Sequence, residues 1–421
     1  MREPVQKEQR EKRDNARTIR CHNIRTILEL FRRSETLTVQ DITGPARLSK
    51  TSVIKILNTL LENGILQTAG KGPSGEEGGK RPLQFTLNAE AGYIITVILN
   101  TEQILCTFFD LKLRAVHSVR EAVTPALSYE ETLAKIASLI ESGKANAAIP
   151  SGKICGISVG CEGIISSDRG MLLHPVHHKW KNDLPLTEDL RTLLGFECPI
   201  VLDNDCRNLA RMEMIARDDM RLSAAVIFTG YAIGGCIIRD GTILSGENGL
   251  IGEFGHIVME PESSLICSCG NNGCLEAVAS SGRLLQLAYE APETEETILR
   301  GKIAGAALQI GDIFSAADGG DDFARKILDV IIKYYSLFIH NASLMHDIDT
   351  VIIQGDFAKA GNYFLGRLKE RVKAYRFHKL RHELHIGYSR LRDQNYPESA
   401  QKGGANLMLS RFLDDFSGTA S

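Results

Sequence analysis

The sequence predicts an α/β protein in two parts: a winged helix-turn-helix over residues 1–88 and a two-lobed α/β body over residues 89–421. Three observations carry this. Charge is divided unevenly: residues 1–82 hold 16 Lys or Arg against 10 Asp or Glu, a net +6, which leaves −9 on the rest of a chain whose total is −3. After a polar segment over residues 1–16, helical periodicity with good caps runs from Arg17 to Gly64 and gives way to a Gly-rich hairpin. From about Ala91, strand-like and helix-like patterns mix to the end of the chain, too long a stretch for one small lobe.

Composition bounds the class. At 421 residues, 43% hydrophobic and 24% charged, this is the profile of a soluble globular protein. No apolar run of about 18 residues predicts a membrane span. The amino terminus, MREPVQKEQREKRDNAR, has no apolar signal core, so a cytoplasmic chain with reduced thiols is expected. A basic front end on an acidic body points to a polyanionic partner, although a solvated charged tail would show the same bias.

The front end reads in order. From Arg17 to Arg33, Ile19, Ile24, Ile27, Leu28, Leu30 and Phe31 recur at helical spacing. A second helix fits Val39 to Arg47, with Thr38 as N-cap. A third runs between Ser49, a good N-cap, and Gly64, a good stop. Within it Val53, Ile56, Leu57, Leu60 and Leu61 form one apolar face. The opposite face carries Lys50, Thr51, Ser52, Lys55 and Asn58, small or cationic hydrogen-bonding groups of the kind a helix needs in a major groove. The segment ILQTAGKGPSGEEGGKRPLQFTLN then reads as strand, turn, strand, with Lys80 and Arg81 near the return. Thr51, Ser52 and Lys55 are expected near base edges, and Lys80, Arg81 and the first helix near phosphates. A dimerisation module with a solvated face is the plainer alternative.

In the body, AGYIITVILN, ILCTFFDLKL and AVHSVREAV read as a strand meander. YEETLAKIASLIESGKA is an amphipathic helix. KICGISVGCEGII is a strand, IVLDNDCRNLARMEMIARD a strand leading into a helix, and SAAVIFTGYAIGGCIIRDGTIL a Gly-interrupted hairpin. Mainly helical sequence follows to about His346, then the strand TVIIQGDF and the helix FLGRLKERVKAYRF.

Between these lies GEFGHIVMEPESSLICSCGNNGCLEAV, residues 252–278. His256, Cys267, Cys269 and Cys274 offer one imidazole and three thiolates, a closed four-ligand set suited to structural zinc. Buried thiols that merely pack would explain three cysteines in eight positions less well. A metal would fix an irregular loop that cannot build its own core, and could hold Glu253 and Glu276 toward a common pocket as acceptors for sugar hydroxyls.

The same loop resembles the signature of the ROK family (repressors, open reading frames and sugar kinases). Gly252, Glu253, Gly255, His256, Cys267, Cys269, Gly270, Gly273, Cys274 and Glu276 carry the match. EGIISSDRG, DNDCRNLARME and SGENGLIGEFGH are similar to further family segments, so the resemblance covers most of the chain. With the winged front end, the chain is similar to the family's transcriptional repressors. The resemblance implies an actin-like, hexokinase-like fold with a sugar in the cleft, touched by Asn204, Asp205, Glu253, His256 and Glu276. It also implies that His256 serves both metal and sugar. Asp205 matches the kinases' catalytic base, a role that suits a carboxylate placed to take a hydroxyl proton. As the start of a helix, Asp205 also suits an N-cap.

Departures from the family pattern bear on function. Ile98, Asn100, Thr101 and Glu102 stand where the kinases carry Asp, Gly, Gly and Thr of a phosphate loop; bulk there obstructs close backbone approach to phosphate. TGYAIGGC is only partly Gly-rich, and QGDF puts Asp356 in the turn expected beside adenosine. In HPVHHKW, Val176 takes the place of a sugar-binding Asn while Trp180 is kept. No catalytic residue is therefore expected. The reading is a sugar-responsive regulator, acting as a repressor of carbohydrate-metabolism genes. A homodimer or dimer of dimers would bind an inverted repeat in double-stranded DNA. The rivals are an ATP-dependent sugar kinase with an accessory DNA-binding domain, and a scaffold that binds neither.

Overall fold

A computed structural model describes residues 19–72, 81–176, 178–292, 294–375, 383–394 and 396–419. The front end has three helices: α1 (residues 19–33), α2 (Val39–Ala46) and α3 (Lys50–Glu62). It also has a three-stranded sheet ordered β1 (Leu37–Thr38), β3 (Leu83–Leu87), β2 (Leu66–Lys71). Caps fix the helix starts. The Thr38 hydroxyl accepts from the Asp41 amide while the Asp41 carboxylate accepts from the Thr38 amide at 2.8 Å, a reciprocal capping box. Ser49 Oγ accepts from Ser52 N at 3.2 Å. α2 stops at Ala46 rather than Arg47, which turns into the left-handed region at φ 53°. Residue 17, the expected start of α1, and Lys80 lie outside the described residues.

The body holds two five-stranded sheets of one topology. The first is ordered β6 (Ala115–Ala122), β5 (Gln103–Asp110), β4 (Tyr93–Leu99), β7 (Ile154–Cys161), β10 (Ile200–Asn204). The second is ordered β13 (Thr242–Ile243), β12 (Ile233–Arg239), β11 (Ala224–Thr229), β14 (Thr350–Gly355), β15 (His385–Tyr388). In each, an antiparallel meander of three is extended by two parallel strands on the side of its first member. The central strands are apolar on both faces because both faces are covered; the edge strand β6 alternates and is largely exposed.

Helices complete the layers. α4 (Tyr129–Asn146) and α5 (Leu186–Leu194) cover the first sheet, and the hairpin β8 (Ile164–Ser166) and β9 (Met171–His174) follows β7. α6 (Asp205–Arg217) starts where β10 ends. On the second lobe lie α7 (Leu275–Ala279), α8 (Ser281–Tyr289), α9 (Arg300–Ala304), α10 (Ile310–Asp318), α11 (Asp322–His346) and α12 (Gly361–Tyr375). The last helix, α13 (Tyr396–Thr419), escapes the sequence reading because it has no one-sided apolar stripe. It is buried on several sides. Gln401 sits inside the first lobe, donating to Leu105 O at 3.1 Å and accepting from Thr107 Oγ1 at 3.0 Å. Ala405, Met408, Leu409 and Leu413 join the front-end core of Ile24, Ile27 and Leu28, so that core is continuous with the body.

Gly403 and Gly404 let α13 lie against α6 and β7. A Cβ on Gly403 would fall 1.9 Å from Asn208 O, and one on Gly404 2.6 Å from Ser158 Oγ. Gly403→Ala is expected to cost about 2–3 kcal/mol by forcing backbone apart. Gly366→Ala, on α12 with no atom within 4 Å of the added methyl, should stabilise by about 0.5–1 kcal/mol. Denaturant unfolding of the two variants checks both.

Candidate functional site

The carboxyl ends of the two sheets' parallel strands face one another across a cavity of about 620 Å³. Open α/β sheets bind ligands at this kind of edge. On the first lobe, β10 delivers Asn204 and α6 begins with Asp205. Asn204 is itself the helix cap, with Oδ1 accepting from Cys206 N at 2.9 Å and Nδ2 donating to Gly163 O at 3.2 Å. Asp205 is buried, and Oδ1 accepts from Cys206 N at 2.8 Å. Oδ2 accepts the hydroxyl of Tyr396 at the start of α13. The position that matches the kinases' base is therefore already covered.

Glu253 and His256 reach the same cavity from the loop before α7, and Glu276 from the first turn of α7 itself. Glu276 also braces that loop: Oε2 accepts from Ile233 N at 3.0 Å, and Oε1 from Ser268 Oγ at 3.2 Å. Among the wall groups that the sequence reading missed are Glu162 and Arg207. Arg207 had a signal, since Arg207 and Arg211 stand four residues apart on α6, four and eight residues after Asp203 at the end of β10. Asp203 accepts from Arg207 at 3.2 Å, Arg211 at 2.5 Å and Ser167 at 2.9 Å. Burial opposes its charge, yet Arg211 and Arg207 hold Asp203 below the usual carboxylate range. Trp180 is absent from the wall. It donates to Leu127 O at 2.8 Å and stacks on His178 at 4.0 Å, while Val176 does line the cavity.

The acids here are hard to ionise. Burial, with Asp205 and Glu102 nearby, pushes Glu162 up to about 7. Burial also raises Glu253 to about 7; Arg207 opposes the rise, while Asp205 and Glu276 add to it. Burial raises Asp205 to about 6 against the pull of the Cys206 amide. On the second lobe the turn at Asp356 is closed by a 2.6 Å hydrogen bond from Ser281, and Lys359 and Arg392 line the cavity there. At the β4–β5 turn, Asn100 Oδ1 accepts from the amides of Glu102 at 3.0 Å and Gln103 at 2.9 Å. Ile98 is buried against Leu209 and Ala400.

His256, Cys267, Cys269 and Cys274 come together with all four donor atoms within 4.8 Å of one another. Cys269 and Cys274 sulfurs lie 3.6 Å apart, and Cys267 Sγ lies 3.5 Å from His256 Nδ1. A tetrahedron with metal–sulfur bonds near 2.3 Å has sulfur–sulfur edges of about 3.8 Å, so the donors fit one metal ion. Nδ1 facing the thiols leaves the other ring nitrogen of His256 for the cavity.

Two sheets of duplicated topology enclosing a polar cleft define the actin-like class. Within it the chain belongs to the ROK family, whose model matches residues 95–409. It is 26% identical over 350 residues to the xylose repressor of Caldicellulosiruptor bescii, covering 82% of this chain and 86% of that one. It is 34% identical over 225 residues to a glucokinase of Halalkalibacterium halodurans, covering 53% of this chain and 67% of that one. A crystal structure described as a ROK family transcriptional regulator, homolog of the E. coli MLC protein, superposes with a TM-score of 0.77 at 20% identity. It covers 96% of this chain and 100% of its own. At that identity the likeness speaks for the fold.

Glu253 gives a pH prediction. Its folded value is raised from 4.5 to about 7, so folding favours the neutral carboxyl. That contribution is full below about 4.5 and is lost as pH rises through 7. Glu253→Gln keeps the neutral form throughout. Its melting temperature, measured by calorimetry, should therefore rise relative to the native chain between about pH 5 and pH 8.

Proposed function

We propose that this chain is a sugar-responsive DNA-binding transcriptional regulator. Residues 1–88 would act as a winged helix-turn-helix and residues 89–421 as a sugar-binding body with a degenerate kinase site. One observation carries the reading: Lys50, Thr51, Lys55 and Asn58 form an exposed hydrogen-bonding face along α3, with Ile54 among them, opposite its buried face. Ser52 stands partly exposed beside them, its hydroxyl 2.9 Å from Ser49, and Arg81 is exposed at the return of the hairpin. The alignment to the xylose repressor covers more of the chain than the 333-residue body contains, so it reaches into the front end. The DNA-binding transcriptional dual regulator NagC of Escherichia coli is also 26% identical over 351 residues, 80% of this chain and 82% of its own.

In the cleft, Asn204, Asp205, Glu253, His256 and Glu276 would meet the hydroxyls of a sugar, with Glu162 added to the set. Zinc held by His256, Cys267, Cys269 and Cys274 would be structural, since four protein ligands leave no open position. A dimer would set two α3 helices in successive major grooves of an inverted repeat. Sugar can alter operator affinity only if it binds two arrangements of the protein unequally.

The kinase reading rests on the glucokinase relative and on Asp205. Three features weigh against it. Asn100 already occupies the turn amides that a phosphate would need. Asp356 adds negative charge in the second lobe's turn. Tyr396 covers Asp205.

Selection of duplexes from a random pool by the full-length protein, at stated salt, tests the reading. An enriched inverted repeat is expected, with Lys55→Ala weakening its binding by about 1–3 kcal/mol. No enrichment, together with ATP-dependent phosphorylation of a sugar that Asp205→Asn abolishes, would replace it with the kinase reading. For the metal, chelation is expected to release one zinc per chain and to make the 257–273 loop protease-sensitive; Cys274→Ser should do the same without chelator. Atomic absorption and limited proteolysis check both.

A further inference from the structure

We propose that Tyr396 is a positioning residue that senses occupancy of the cleft, and that α13 carries the result to the front end. The inference rests on the reading of the cleft as a sugar site. Its starting point is the hydroxyl of Tyr396 donating to Asp205 Oδ2. Both residues line the cavity. A ligand hydroxyl that hydrogen-bonds to Asp205 Oδ2 competes with the phenol.

The phenol ring is not anchored to one lobe alone. It lies 5.4 Å from the ring of Phe228, near the end of β11 in the second sheet. That pair packs on Ile98 from the first sheet, Leu209 from α6 and Ala400 one turn further along α13. The first turn of α13 therefore touches both walls of the cleft. Pro397 at its second position needs no amide partner there and fixes the backbone.

Beyond this turn α13 behaves as a rod. Gly403 and Gly404 seat it against Asn208 and Ser158 with no room for a side chain. Its far end is tied to α1 three times: Asp414 pairs with Arg25 at 3.2 Å, Ser417 O accepts from Cys21 Sγ at 3.3 Å, and Ser410 Oγ accepts from Arg32 Nη1 at 3.4 Å. From Tyr396 to Asp414 is about 27 Å along the helix axis, at 1.5 Å per residue. Releasing Tyr396 frees the first turn of this rod to follow the second lobe, and the same helix packs into the core beneath α1 and α3. In the proposal, α13 is the element with two arrangements that coupling between two sites needs.

The test uses the full-length protein and Tyr396→Phe, which keeps the ring on Phe228 and removes only the hydroxyl. Hydrogen–deuterium exchange is followed with no sugar and with D-glucose, D-xylose or N-acetyl-D-glucosamine as probes. In Y396F without sugar, exchange is expected to rise in the first turns of α13 and also in residues 24–31 of α1. The affinity of Y396F for the probe that binds should rise about tenfold, because its competitor for Asp205 is gone. Its affinity for a selected duplex should already lie at the sugar-bound value, so that adding sugar changes little. The native chain reads the same device without substitution, by a rise in α1 exchange when the sugar binds. Altered exchange confined to the first turn of α13, with α1 unchanged and the duplex response to sugar intact, overturns the proposal. Should none of the probes bind the native chain, the sugar reading fails for them, and the α1 exchange of Y396F still decides for or against the latch.

Discussion

The close seating of α13 is the constraint on which the arrangement depends. A helix backbone can approach another helix and a strand this nearly only where side chains are missing, and Gly403 and Gly404 supply the gap. From that contact one helix reaches three regions. Its first turn enters the cleft, its middle fills the back of the first sheet, and its last turns complete a core that α1 and α3 could not close alone. The front end is therefore not a bead on a string. Its apolar residues pack on Met408, Leu409 and Leu413 as though on a fourth helix of their own.

The cleft has a matching logic. Carboxylates are concentrated where water is scarce, and burial accordingly pushes Glu162 and Glu253 up to about 7. Arg207 offsets part of it, but its guanidinium is shared with Asp203. Such acids suit a neutral, hydroxyl-rich ligand better than an anionic one. The thiol–imidazole cluster stands behind two of them. By gathering the loop around four donors it holds His256 at the wall and places Glu276 where it can also brace Ile233.

Much of this could be read from the chain, for identifiable reasons. Thr38, Ser49 and Gly64 declare helix ends through cap chemistry that acts over a few residues, and all three stand at such ends. The four donors were visible because thiolates so closely spaced have few other uses. What stayed hidden depended on distant partners. α13 carries buried Ser399, Gln401, Asn406 and Ser417 among its apolar residues, so no period marks it. β15 is four residues long and finds its place only by pairing with β14. Tyr396 reached the cleft unannounced because the contact with Asp205 spans 191 positions. Arg207 carries a spacing signal, four residues from both Asp203 and Arg211, but only the fold shows that Asp203 is buried against it at the wall of the cleft. Trp180, kept from the family pattern, turned out to brace Leu127 rather than the cavity.

The central claim is that the cleft speaks to the front end instead of transferring phosphate. It is tested most directly by measuring both halves of one thermodynamic cycle on the full-length protein. The affinity for its selected duplex is measured with and without the sugar it binds, and the affinity for that sugar with and without the duplex. Linkage requires the two ratios to be equal. The account predicts a common factor of about 5–150, the usual range for such coupling. A factor of one in both directions, with sugar phosphate accumulating when ATP is added, would contradict it.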